Sequence, residues 1–140
     1  MKRVCVSGYF NPLHVGHLEY LTRAKGLAGE GGQLVVIVNN DFQSYLKKGS
    51  SFMPEEERVE ILRALRPVDE VVLSVDSDRT VRQTLRQIEP RVTHFANGGD
   101  QFSGNIPERE VCLELGIELV DGLGDKIQSS SWLIEKAARN

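Results

Sequence analysis

Short apolar runs alternate with amphipathic segments at the start of the chain. The runs "RVCVSG" (3–8) and "QLVVIVNN" (33–40) are continuous and rich in β-branched residues, which is typical of strands buried on both faces. Between them, until "GEGG" (29–32), apolar residues recur at helical spacing: Leu18, Leu21, Ala24 and Leu27. The pattern therefore predicts a strand, a helix and a second strand.

Residues 41–67 divide into two parts. The stretch "DFQSYLKKGSSF" (41–52) is polar, has no clear periodicity and predicts a loop. The segment "PEEERVEILRALRP" (54–67) predicts a helix, because a proline and three acidic residues stand near its start and a second proline closes it. The apolar positions near one face of this helix are Val59, Leu62 and Leu65.

The alternation continues to the last residues. Three further runs predict strands: "DEVVLSV" (69–75), "VTHFAN" (92–97) and "IELVD" (117–121). A helix with Asp78 as its N-cap is expected between the first two runs, and its inner face would carry Val81, Leu85 and Ile88. A short helix from Pro107 to Gly116 is expected next, and "WLIEKAA" (132–138) predicts a terminal helix after a serine turn.

Strands separated by helices indicate an α/β fold. We expect a Rossmann-like, doubly wound and mainly parallel five-stranded sheet with helices on both faces, and a single domain over 1–140. Ligands bind such sheets beyond the carboxyl ends of the strands, where the winding reverses. Four strand-to-helix junctions carry much of the polar chemistry: "SGYFNPLHVGH" (7–17), "NNDFQSYLKKG" (39–49), "NGGDQ" (97–101) and "DKIQSSS" (125–131).

Composition narrows the classes of function. The chain has 17 Lys and Arg against 20 Asp and Glu, a net charge of -3, which argues against nonspecific nucleic-acid binding. Cys5 and Cys112 lie in apolar segments and predict buried thiols rather than a disulfide scaffold or a zinc site. No apolar run reaches the length of a signal peptide or a membrane span, so we expect a soluble cytoplasmic protein.

The sequence "HVGH" places His14 and His17 one turn apart at the predicted start of the first helix. Backbone N–H groups and the helix dipole favour an anion there, two imidazoles could donate to phosphate oxygens, and Gly16 would let a phosphate approach the backbone. Two alternatives stay open. The pair could have a structural role, or could bind a metal, which needs a third protein ligand, and His94 has no partner that the sequence identifies.

The segment "GYFNPLHVGHLEYL" (8–21) resembles the signature of the HxGH nucleotidyltransferases, which include cytidylyltransferases and adenylyltransferases. Further segments resemble the family in the same order: "LKKG" (46–49), "EERVEILRALRPVDEVV" (56–72), "NGGD" (97–100) and "QSSSW" (128–132). The resemblance spans nearly the whole chain. It looks closer to the heptose-phosphate adenylyltransferases than to the glycerol-phosphate cytidylyltransferases, because Gly124 stands where the latter have a phosphate-binding arginine.

The resemblance implies a reaction and a set of site residues. A phosphate monoester would attack the α-phosphorus of a nucleoside triphosphate, with Mg²⁺ present and pyrophosphate released. Arg66 would contact a phosphate, and Arg58 is a weaker candidate for the same contact. Asp100 would accept a hydrogen bond from the ribose or help to hold the metal. The implied catalytic residues are His14, His17, Lys47 or Lys48, and Arg66. The implied nucleotide-binding residues are Tyr9, Phe10, Asn11, Gly16, Asp100, Gln128, Ser129, Ser130 and Ser131.

Each of these roles has a plain structural alternative. Exposed lysines are usually only solvated, serines before a helix usually cap it, and both arginines could form surface salt bridges with Glu55 or Glu70. We expect transfer of CMP or AMP to a small phosphorylated metabolite, such as a sugar or polyol phosphate, by a homodimer. The rival interpretations are a nucleotide-binding regulatory module without turnover and a flavodoxin-like binding protein.

Overall fold

The structure, a computed structural model, describes residues 1–98 and 106–123. Along these residues the elements follow one another in this order: β1 (Arg3–Gly8), α1 (Val15–Ala28), β2 (Gln33–Val38), α2 (Asp41–Lys48), α3 (Glu55–Arg63), β3 (Glu70–Leu73), α4 (Arg82–Gln87), β4 (His94–Gly98), α5 (Arg109–Leu115) and β5 (Glu118–Leu123). The predicted terminal helix, with its serine cap, lies outside the described residues.

The described strands form one five-stranded sheet in the order β3–β2–β1–β4–β5. All four neighbouring pairs are parallel, with Arg3 opposite Gln33 between β1 and β2 and Val4 opposite His94 between β1 and β4. The chain winds outward from β1 to β3 and then crosses to β4 on the other side of β1. The winding therefore reverses between β1 and β4, and the predicted parallel α/β fold is confirmed.

Two apolar cores cover the two faces of this sheet. One contains Leu21 and Ala24 of α1 with Leu62 of α3, and the other contains Leu85 of α4 with Val111 of α5. The inner faces predicted for the helices are confirmed, except that Leu18 is exposed. The second core also contains the free thiols of Cys5 and Cys112, which are buried as expected.

The segment predicted as a loop after β2 contains helix α2, so that prediction is wrong. The Asn40 side chain caps the helix by accepting from the Gln43 N–H at 2.9 Å, and the Gln43 side chain accepts from the Asn40 N–H at 2.9 Å. Gly49 ends the helix in the left-handed conformation. Phe42, Tyr45 and Leu46 are exposed. The helix therefore buries polar side chains instead of an apolar face, and the hydrophobic pattern could not reveal it.

The predicted N-cap of α4 is also wrong. Asp76, not Asp78, accepts from the backbone N–H groups of Gln83 and Thr84, at 2.9 and 3.0 Å. Asp78 instead accepts from the N–H and hydroxyl of Thr80 within the preceding turn. No helix among the described residues is both long and apolar enough to cross a membrane.

Candidate active site

A cleft of about 460 Å³ opens at the carboxyl edge of the sheet, beside the reversal of the winding. Its lining comes from the end of β1, the β1–α1 loop, the first turn of α1, the residue after β2, the end of α2, the β3–α4 loop and the segment just before α5. Several sequence-predicted site residues meet there: Tyr9, Phe10, Asn11, His14, His17, Lys47 and Lys48. The position agrees with the rule for ligand sites in doubly wound sheets.

The β1–α1 loop is folded tightly against the end of its own strand. Phe10 is buried with φ of 51°, in the left-handed region that non-glycine residues rarely adopt. Gly8 permits this turn, because a Cβ there would lie 2.9 Å from the Phe10 ring. Asn11 lines the cleft, and its side-chain oxygen accepts from the Met53 N–H at 2.6 Å. Asn11 thus joins this loop to the segment before α3.

His14 and His17 cap the start of α1 with their own rings. Nδ1 of His14 accepts from the Gly16 N–H at 3.0 Å, and Nδ1 of His17 accepts from the His14 N–H at 3.2 Å. The two rings stack with their centroids 3.9 Å apart. Since both Nδ1 atoms accept, the proton of each neutral ring lies on Nε2. The Gly16 N–H, expected to meet a phosphate, is here bonded to His14.

His17 is held in its neutral form. Burial, followed by the electrostatic influence of the adjacent His14, lowers the pKa of His17 from 6.5 to about 4. The edge of the buried Phe10 ring, 5.0 Å away between centroids, contributes to this apolar surrounding. At neutral pH His17 is therefore a hydrogen-bond donor without a charge, and positive charge in the cleft must come from other side chains.

Lysines and one arginine supply that positive charge. Lys47 lies over the Tyr9 ring, with Nζ 4.2 Å from the centroid, and Lys48 and Arg79 line the same cleft. Burial and then the charges of Lys48 and Arg79 lower the pKa of Lys47. The Tyr9 hydroxyl is buried and finds no hydrogen-bond partner in the described part of the chain, so Tyr9 contributes mainly its ring face.

The two candidate arginines take different places. Arg58 is fully buried, donates to the carbonyls of Tyr9 and Asn39 at 2.8 and 2.6 Å, and pairs with Asp41 at 2.8 Å. It therefore supports the cleft from beneath and is not among the residues that line it. Arg66 is exposed in the turn before β3, at the amino end of that strand and so at the edge opposite the cleft.

Sequence reasoning missed several residues of the cleft wall, among them Asn39, Arg79 and Glu108. Asn39 directly follows β2 and was recognisable as a residue at a carboxyl end. Arg79 lies in the β3–α4 loop, the junction that carried no motif, and Glu108 precedes α5. Five candidates lie outside the described residues: Asp100, Gln128, Ser129, Ser130 and Ser131.

The alternative that the histidine pair binds a metal would need a third protein ligand. Within residues 1–98 and 106–123, no group of three His, Cys, Asp or Glu side chains could hold an ion. His94 lies in β4 as expected of a strand residue, with Nδ1 2.7 Å from the Thr93 hydroxyl. The hydrogen-bond donors of the cleft are cationic side chains and neutral imidazoles, which bind phosphate oxygens better than they bind a metal ion.

Known proteins resemble this chain in sequence and in fold. The family model described as cytidylyltransferase-like matches residues 5–121. The FAD synthase of Methanopyrus kandleri is 39% identical over 110 residues, which are 79% of this chain and 69% of that protein. The FAD synthase of Korarchaeum cryptofilum is 36% identical over 135 residues, 92% and 88% of the two chains. A solved structure, the lipopolysaccharide core biosynthesis protein of Thermoplasma volcanium, superposes with a TM-score of 0.68 at 29% identity, covering 87% of this chain and 94% of that one. The chain therefore belongs to the cytidylyltransferase-like family and is a nucleotidyltransferase.

Proposed function

We propose that this enzyme transfers AMP from ATP to the phosphate of FMN, forming FAD and pyrophosphate. The name FAD synthase, borne by relatives that are 39% and 36% identical over most of the chain, is the observation that carries this acceptor. The sugar or polyol phosphate expected from the resemblance is not supported by that name, and we replace it with FMN. ATP replaces the open choice between ATP and CTP, because FAD contains an adenylyl group.

The proposed reaction is an in-line displacement at the α-phosphorus of ATP. A phosphate oxygen of FMN forms the new P–O bond, the bond from the α-phosphorus to the bridging oxygen breaks, and pyrophosphate leaves with that electron pair. Such a transfer needs little covalent help from a protein, because positioning and charge stabilisation lower most of the barrier. The cleft supplies both kinds of help through fixed imidazoles and a group of cations.

Each residue's proposed role follows from its chemistry. The Nε2–H groups of His14 and His17 donate to oxygens on the α- and β-phosphates, where charge grows in the transition state. Neutral imidazoles suit this task, because their Nδ1 atoms accept from backbone N–H groups and each ring therefore keeps its proton on Nε2, ready to donate. Lys47 and Lys48 neutralise the polyphosphate from the end of α2.

Mg²⁺ is the metal we propose to accompany ATP. It is bound in such sites by phosphate and water oxygens with one or two carboxylates, so the absence of a three-residue metal cluster among the described residues fits it. Glu108 brings a carboxylate to the cleft wall. Asp100 is the metal-binding candidate that the family resemblance implies. When bound, the ion neutralises charge on the leaving pyrophosphate.

We also propose that the protein is a homodimer, which light scattering on the purified protein tests.

The test combines product identification with a panel of substrates. The purified protein is incubated with Mg²⁺, with ATP or CTP, and with FMN, glycerol 3-phosphate or a heptose phosphate. We expect pyrophosphate and FAD only when ATP and FMN are both present. Pyrophosphate released with one of the other acceptors would contradict FMN as the acceptor, and nucleotide binding without any product would favour the regulatory module.

A further inference from the structure

The loop between β3 and α4 brings Arg79 to the wall of the cleft. Lys47 and Lys48 line the same cleft from α2. Burial, then the charge of Lys48 and then that of Arg79 lower the pKa of Lys47, so Arg79 lies within electrostatic reach of Lys47. None of the motifs in the sequence covers this loop, and the catalytic roles proposed above do not use it. An arginine in a phosphate-handling cleft therefore has no assigned task.

The backbone on both sides of Arg79 is held in place. Nε2 of Gln43, a residue with 0% exposure, donates to the carbonyl oxygens of Asp78 and Thr80 at 2.6 and 2.8 Å. The Asp78 carboxylate accepts from the Thr80 N–H at 2.9 Å, which tightens the same turn. A side chain that starts from a fixed backbone loses less freedom on binding a ligand, so its hydrogen bonds contribute more to affinity.

The positive charge of Arg79 is not neutralised by the described residues. Arg82, three positions later, pairs with Asp78 at 3.1 Å, and buried Arg58 pairs with Asp41 at 2.8 Å. Within residues 1–98 and 106–123, Arg79 makes no salt bridge and lies near other cations. Glu108 brings a carboxylate to the same wall, where its Oε2 accepts from the Val81 N–H at 3.0 Å. Three cations against this one carboxylate leave the cleft lining with a positive balance that favours a bound anion.

Arg79 and the histidines reach the cleft from different parts of the fold. His14 and His17 begin α1, which packs on one face of the sheet, whereas Arg79 precedes α4, which packs on the opposite face. In an in-line displacement the attacking and leaving oxygens lie on opposite sides of the phosphorus. If the histidines hold the α- and β-phosphates, the attacking monoester needs a donor of its own, and Arg79 is a cleft cation that comes from the loop before the helix on the opposite face.

We propose that Arg79 binds the phosphate monoester of the acceptor, which under the function proposed above is the phosphate of FMN. The planar guanidinium can donate two parallel hydrogen bonds to a phosphate, a geometry that the ammonium groups of Lys47 and Lys48 cannot match. Arg79 thereby sets the enzyme's preference for a phosphorylated acceptor and aligns the attacking oxygen.

The experiment compares FMN with riboflavin, which differs only in lacking the phosphate. Flavin fluorescence titrations and steady-state kinetics are measured for wild type, Arg79→Gln and Arg79→Lys. Arg86→Gln is the control, because it removes the same charge from an exposed position of α4 that does not line the cleft and pairs with Glu114 instead of the Arg79 turn. We expect Arg79→Gln to weaken FMN binding about 10- to 100-fold, to raise the KM for FMN, and to leave riboflavin binding and the KM for ATP within about twofold. Arg79→Lys should fall between wild type and Arg79→Gln, since it keeps the charge without the fork.

Other results would overturn the assignment. A rise in the KM for ATP with that for FMN unchanged would place Arg79 on the triphosphate, and equal loss of FMN and riboflavin binding would give it no role in phosphate recognition. A wild-type protein that forms no FAD would reject both this inference and the proposed function. A wild type that forms FAD, with Arg79→Gln unchanged in its KM for FMN, would reject only the role of Arg79.

Discussion

Nδ1 of His17 accepts a hydrogen bond from the backbone N–H of His14 at 3.2 Å, and this bond determines the chemistry of the His17 ring. An Nδ1 that accepts leaves the ring proton on Nε2, so the ring can donate toward the cleft without carrying a charge. The structural and the catalytic interpretations of the histidine pair are therefore compatible, since the bond that caps the helix also selects the tautomer.

Replacing His17 tests its proposed role in the transition state. His17→Ala removes one aimed donor, and we expect turnover to fall by about 10²- to 10³-fold. The helix start loses one capping bond, a change of about 1 kcal/mol that should leave the far-UV circular dichroism spectrum native. The matched control is His94→Ala, because His94 lies in β4 and does not line the cleft. Turnover that survives in His17→Ala would contradict the role.

The low pKa of His17 predicts how the stability of the protein depends on pH. The folded protein keeps His17 neutral down to a pKa of about 4, whereas the unfolded chain takes up the proton near 6.5. Between these values the unfolded state binds more protons, so acidification lowers the free energy of unfolding. His17→Gln does not titrate, and we expect it to lose less stability than wild type between pH 7 and pH 5 in urea unfolding. Parallel losses in the two proteins would show that His17 is not held neutral.

The two lysines of α2 should differ in importance. Lys47 is fixed over the Tyr9 ring at 4.2 Å, while Lys48 has no comparable support in the described residues. We expect Lys47→Gln to reduce kcat about 10-fold more than Lys48→Gln, because a fixed charge stabilises the transition state without reorganisation. Tyr9→Phe should retain activity, since it keeps the ring face, and Tyr9→Leu should approach the loss of Lys47→Gln. Equal effects of the two lysine changes would contradict this difference.

Arg58 is expected to matter for stability. Arg58→Met leaves the buried carbonyl oxygens of Tyr9 and Asn39 without their donor and separates Asp41 from its partner. We expect a loss of about 3 kcal/mol in the free energy of unfolding, measured in urea. Arg63→Met on the same helix α3 is exposed and should change it by less than about 0.5 kcal/mol. Similarly small losses in the free energy of unfolding for both variants would show that Arg58 does not hold the cleft-lining residues Tyr9 and Asn39 together.

The fold could be predicted because its core elements follow simple hydrophobic periods. The run around Val35 and Ile37 has the continuous apolar pattern of a strand covered on both faces, and the structure buries both residues. Helix α2 escaped prediction because Gln43 and Ser44 are its buried residues, and no hydrophobic period marks a helix that buries polar side chains. The histidine pair was visible as a motif. Arg79 was not, because its place in the cleft depends on tertiary contacts made by Gln43.

The Gln43 side chain links the stability of the protein to the placement of Arg79. Its oxygen accepts from Asn39 and Asn40, and its nitrogen donates to the carbonyls of Asp78 and Thr80. Gln43→Glu keeps the shape and the accepting oxygen but turns the donating nitrogen into a second oxygen that faces two carbonyls. We expect a loss of about 3 kcal/mol in the free energy of unfolding at pH 8 and a raised KM for FMN.

Acid should reduce the stability loss in Gln43→Glu, because the introduced carboxyl, buried among acceptors, takes up a proton at a raised pKa and can donate again. The gap in the free energy of unfolding between this variant and wild type should therefore narrow from pH 8 to pH 6. Gln83→Glu, at an exposed position of α4, is the control and should stay close to wild type at both values. If the gap for Gln43→Glu were small, or independent of pH, the amide of Gln43 would not be what holds the loop of Arg79.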